Sequence, residues 1–168
     1  MVSPPPEIPS LAGLDPAEAA RIGFPVEESV RRLLRYQWVQ QRLMEVAWAH
    51  LAATPEWEVK CALALHQWLD AEHADRFRQR IGEMRHPAPR MDRAPDPALD
   101  AFLEELLRAE DTLALVAGVY RVARPALLDA FRQHLAAANP LVDHPTTRVL
   151  RMAALEEEDA IAWGERAA

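Results

Sequence analysis

Glu110 takes its turn in the series Leu103, Leu106, Glu110, Leu113, Ala117, at helical steps from each apolar neighbour. The pattern therefore places a carboxylate where a helix buries apolar surface. Glu45 stands in a comparable position, on the side of Trp38, Trp48 and Ala52. A carboxylate taken out of water must be paired, hydrogen-bonded, protonated or bound to a metal. His66, Asp70 and His73 follow one another at steps of four and three on one helical face. Asp70 and His73 form a carboxylate-x-x-imidazole pair, a spacing that points both groups at one ion. Near the end of the chain, Glu156, Glu157, Glu158 and Asp159 form an acidic cluster. Most of it reads as a solvated face, with Glu157, or else Glu156, turned inward. Carboxylate oxygens with imidazole nitrogen suit iron or manganese. Glu45, Asp70, His73 and Glu110, with Glu157 as a further ligand, are thus a candidate metal set.

Helices must position these groups, and the sequence marks where each begins. Proline recurs at Pro25, Thr54-Pro55, Asp96-Pro97 and Asp143-His144-Pro145, placements suited to a first helical turn that has no use for the missing N–H. Thr54, Asp96 and Asp143 are good cap residues, and Glu27, Glu28, Glu56 and Glu58 favour the positive ends of their helices. The segments that follow predict helices over about 26–52, 55–84, 97–122 and 146–166. Leu33, Leu34, Trp38, Leu43, Trp48 and Leu51 give the first its apolar face. Arg124-Pro125 is expected to end the third helix, and 126–138 reads as an added helix with Leu127, Leu128, Phe131 and Leu135 inward. No segment alternates in the manner of a strand. The expectation is an all-α antiparallel four-helix bundle over 25–168, with an extra helix between its third and fourth, preceded by a proline-rich arm over 1–24.

Composition narrows the function classes. At 168 residues the chain fits one domain with one core. A formal net charge of −7 argues against non-specific nucleic-acid binding, which works by neutralising phosphates. No apolar run approaches a membrane span, and Met1–Leu11 carries neither a basic residue nor an apolar core of a signal peptide, so the cytoplasm is the expected location. Cys61 is the only cysteine, which excludes an internal disulfide or a multi-thiolate zinc site. Its apolar neighbours predict a buried, inert thiol. All but one of the 19 basic side chains are arginine, Lys60 being the exception.

The stretches 54–75 (TPEWEVKCALALHQWLDAEHAD), 108–125 (RAEDTLALVAGVYRVARP) and 143–165 (DHPTTRVLRMAALEEEDAIAWGE) resemble a bacterial branch of the ferritin-like superfamily. With the first helix, the likeness covers nearly everything after residue 25. It implies a ferritin-like bundle, whose metal-binding members hold two ions with one carboxylate from each of two helices and a carboxylate-x-x-His pair from each of the others. Carried over, the pattern makes Glu45 the first-helix carboxylate, Asp70 with His73 the second-helix pair, Glu110 the third-helix carboxylate and Glu157 the fourth. The histidine three residues after Glu157 is replaced by Ala160, and the position matching Glu156 holds Asp159. The second metal therefore lacks its nitrogen ligand. By the same resemblance the chemistry would be O₂- or peroxide-dependent oxidation of a small-molecule substrate.

The competing expectation is a metal-free relative serving as an interaction or structural module, its inward carboxylates paired with arginines such as Arg42, Arg76, Arg108 or Arg148. His66 reads as a core or supporting residue, and His50, His86, His134 and His144 as surface, loop or capping residues. Trp38, Trp48, Trp57, Trp68 and Trp163 are expected to pack helices, the alternative being an apolar pocket between tryptophans. A homodimer is compatible with a bundle of this size.

Overall fold

The computed structural model describes residues 13–87 and 89–167. Their regular structure is entirely helical: α1 (Pro16–Ala19), α2 (Val26–Leu51), α3 (Trp57–Glu83), α4 (Pro97–Leu107), α5 (Thr112–Gly118), a π-helical segment (Val119–Ala123), α6 (Arg124–Ala137) and α7 (His144–Ala167). No described helix is long and apolar enough to cross a membrane. Residues 1–12 of the expected arm lie outside the described residues. Its later part is tied down, since Asn139 donates to the carbonyls of Ala19 and Arg21, and Arg21 donates to Ala136 O.

Two boundaries differ from the sequence expectation, and both matter to the site. The helix expected over 97–122 is two helices. α4 starts as read, with the Asp96 side chain accepting from the Ala98 and Leu99 amides and Pro97 in its first turn. It stops at Leu107, because Asp111 is extended and caps a new helix through the Ala114 amide. The second difference is at Arg124-Pro125, which does not end a helix. The chain passes through π-helical geometry just before it, with the Arg124 amide reaching back to Val119 O. A proline ring ordinarily clashes with the carbonyl four residues earlier, and the widened turn makes room for it. Residues 112–137 thus form one continuous helical run, and the extra helix is α4, before that run instead of after it.

The four long elements stand in a square. α2 packs on α3, α3 on α7 and α7 on α6, while Tyr36 closes the fourth side by bonding Ala130 O and packing on Phe131. Facing pairs give the directions. His66–Trp163, His73–Glu156 and Arg80–Thr146 run in opposite senses along α3 and α7. His66–Tyr120 and Asp70–Arg124 run in the same sense. Adjacent helices are therefore antiparallel, diagonal ones parallel, and the connection from α3 to the 112–137 run crosses the bundle end to end, carrying α4 against α2. Leu33, Leu43, Phe77, Leu103, Phe131 and Leu150 are fully buried in the core.

Glycine decides one close contact. A Cβ at Gly164 would lie 2.5 Å from Tyr120 Cγ, so α7 meets the π segment only because that side chain is missing.

Candidate functional site

One polar side chain from each long helix meets at the bundle axis: Gln40 from α2, Asp70 from α3, Arg124 from the start of α6 and Glu157 from α7, all buried. Arg124 grips Asp70 with two parallel hydrogen bonds, Nη1 to Oδ1 at 3.0 Å and Nη2 to Oδ2 at 2.8 Å. Nη1 also donates to Glu157 Oε2 at 2.9 Å. Gln40 Nε2 donates to the remaining oxygen, Glu157 Oε1, at 2.8 Å. Each of the four carboxylate oxygens thus accepts a hydrogen bond from a protein donor. Charge-assisted, forked pairing of this kind fixes geometry as well as charge.

Electrostatics follow from burial. Loss of water works against the Arg124 charge, but Asp70 and Glu157 outweigh it and hold the guanidinium well above its ordinary pKa. Burial pushes Asp70 up to about 6 against the pull of Arg124, with Glu157 adding repulsion. Two carboxyl groups share one guanidinium, which leaves the layer one acid in excess. One turn along, Tyr120 lies beside Arg124, the guanidinium carbon 5.4 Å from its ring centre. Its hydroxyl is 2.7 Å from His66 Nδ1. Burial raises the Tyr120 phenol, while burial and the Arg124 charge lower His66 to about 3. Both groups are neutral at physiological pH. His73 Nε2 is 2.5 Å from Glu156 Oε2, and its buried Nδ1 has no hydrogen-bond partner among the described residues.

Of the candidate ligands, the structure brings Asp70, His73 and Glu157 together, each offering an atom within 4.8 Å of the others. Glu45 and Glu110 are elsewhere. Glu45 is half-buried on the side of α2, bonded to Arg42 at 2.5 Å and to Gln41 at 3.2 Å. Arg42 also pairs with Glu104 of α4. Glu110 is exposed in the break between α4 and α5, because the helical register that aimed it inward ends at Leu107. The fold places a glutamine, Gln40, and an arginine, Arg124, at the axis where helical stepping had suggested carboxylates.

Other expectations also change. Cys61 is exposed. Trp48, Trp57 and Trp68 are exposed, whereas Trp163 packs edge-on against Tyr120 and His66. His134 is fully buried, its Nδ1 3.3 Å from the Tyr36 hydroxyl, and burial, helped by Arg32, lowers its pKa to about 4. Arg124 carried a legible signal: Ala117, Tyr120, Arg124, Leu127 and Phe131 step at helical intervals once the run is read through Pro125. Gln40 likewise sits between Leu33, Leu43 and Ala47.

No family model, curated protein or solved structure gives a significant match to this chain. The donor set is mixed with respect to iron or manganese: Asp70, His73 and Glu157 are close enough to share one ion, while Arg124 and Gln40 already bond the two carboxylates and Ala160, buried at the position of the expected histidine, offers no ligand.

Proposed function

We propose that this chain is a ferritin-like bundle in which a buried arginine takes the place of metal ions, and that it serves as a non-enzymatic interaction or structural module. The observation that carries this reading is Arg124, whose guanidinium binds both oxygens of Asp70 and one of Glu157. A fixed cation there meets the electrostatic demand that a metal would meet. The crossover between α3 and the 112–137 run supports the ferritin-like assignment, since such bundles carry one long crossover. Gln40 in place of a carboxylate and Ala160 in place of a histidine favour the metal-free version.

The Asp70–His73–Glu157 cluster supports a second reading, a single iron or manganese site. His73 Nδ1, buried without a partner among the described residues, is the specific feature in its favour. A metal there requires Arg124 to leave both carboxylates.

Calorimetric titration with Mn(II) and, anaerobically, Fe(II) separates the two. The metal-free reading expects no binding by the native chain and measurable binding by Arg124→Ala, which frees Asp70 and Glu157. Stoichiometric binding by the native chain, lost in His73→Ala, would overturn it in favour of the second reading.

A further inference from the structure

A groove of about 650 Å³ runs between α3 and α7, directly outside the His66–Tyr120 pair. Small side chains make it: Ala62 and Ala160 line its floor, and both are buried. A histidine or any larger residue at 160 would fill part of this space. His66, only 6% exposed, lines the same floor with its Nδ1 turned to Tyr120. Trp57 and Trp163 also line the groove. Trp57 is 70% exposed, a large aromatic surface left open to solvent.

The charge on the walls has one sign. Glu58, Glu156 and Asp159 line the groove, and among the described residues no arginine or lysine does. Glu156 is held by His73. Among the described residues, Glu58 and Asp159 form no ion pair. His66 adds no positive charge, because burial and Arg124 keep it neutral. An aromatic face attracts a cation through its quadrupole, carboxylates add long-range attraction, and an anion meets repulsion from both walls. The volume falls within the range of small-molecule sites.

We propose that the α3–α7 groove binds an organic cation, a small ammonium compound with an apolar body. The apolar part lies over Ala62 and Ala160 beside the tryptophans, and the ammonium faces Glu156 and Asp159 of α7. This inference does not depend on whether the Arg124 layer excludes metal.

Three probes of one shape and different charge test it on the full-length chain: 2-phenylethylammonium, 2-phenylethanol and phenylacetate, followed by tryptophan fluorescence and calorimetry. The ammonium is expected to bind saturably, at least about fivefold more tightly than the alcohol, with no saturable binding of phenylacetate. Trp57→Ala and Asp159→Asn change exposed side chains and leave the circular dichroism spectrum and melting temperature unchanged. Each is expected to weaken ammonium binding by about fivefold. Equal binding of alcohol and ammonium, preference for phenylacetate, indifference to both substitutions, or no saturable binding up to millimolar concentration would each overturn the proposal.

Discussion

Arg124 makes three of the four hydrogen bonds that hold the carboxylates at the bundle axis. Removing one partner of a buried ion pair leaves the others charged and unpaired, and this typically costs about 3–5 kcal/mol. Arg124→Ala should show a loss of that size in urea unfolding, far more than Arg76→Ala, whose partner Glu72 is half exposed. The buried histidines give a prediction in pH. Burial pushes His66 down to about 3 and His134 down to about 4, below the 6.5 of a solvated imidazole. The unfolded chain therefore takes up protons first, and the stability present above pH 6.5 is lost as pH falls towards 4. Asp70, raised to about 6, acts in the opposite sense between about 4 and 6, since the folded chain protonates it first. Two protons against one leave a net slope of roughly 1.4 kcal/mol per pH unit from these groups around pH 5. Unfolding free energies measured from pH 7 to 4.5 should fall accordingly, and His134→Gln should flatten the decline. A stability that rises through this window would contradict the assignment.

The decisive element is the π segment. It carries the helix through Pro125, turns Arg124 to the axis and sets Tyr120 on Gly164. A methyl group at Gly164 meets the Tyr120 ring near its base, where rotation gives no relief, so Gly164→Ala should cost about 1–3 kcal/mol. At Gly118 the obstacle is the free end of Leu106, which can turn aside, and alanine's helix preference of about 1 kcal/mol offsets the strain. Thermal melts should therefore separate the two substitutions clearly. This element also marks where the sequence stops being legible. Proline placement located α4 and α7 closely, and apolar stepping located the long helices. The same rules broke the chain at Pro125, because a π turn leaves no signature in composition or periodicity. A break at Pro125 takes Arg124 out of its helical series. Glu110 was misplaced for the converse reason: its register ran across a break that Asp111 creates by capping α5. Asp70, His73 and Glu157 lie inside uninterrupted helices, where spacing alone places them near the axis. Gln40 has the same spacing in α2, but an uncharged amide carries no electrostatic demand that marks its position.

Across the whole molecule the four-helix layer ties diagonal partners together, α2 to α7 through Gln40 and α3 to α6 through Arg124. Adjacent helices already share apolar side chains, and a buried ion pair often contributes no more stability than apolar residues of similar volume would. Converting all four positions to apolar residues (Gln40→Leu, Asp70→Leu, Arg124→Met, Glu157→Leu) should then leave a folded helical protein. Its stability should be equal to the native value or higher by about 1–4 kcal/mol, in contrast to the loss from Arg124→Ala alone. The most direct test of the account is elemental analysis of the native chain purified without chelators from cells supplied with iron and manganese. An arginine standing in for the metal predicts no more than trace transition metal per chain. Near-stoichiometric iron or manganese, removed by His73→Ala, would contradict it and make Asp70, His73 and Glu157 ligands.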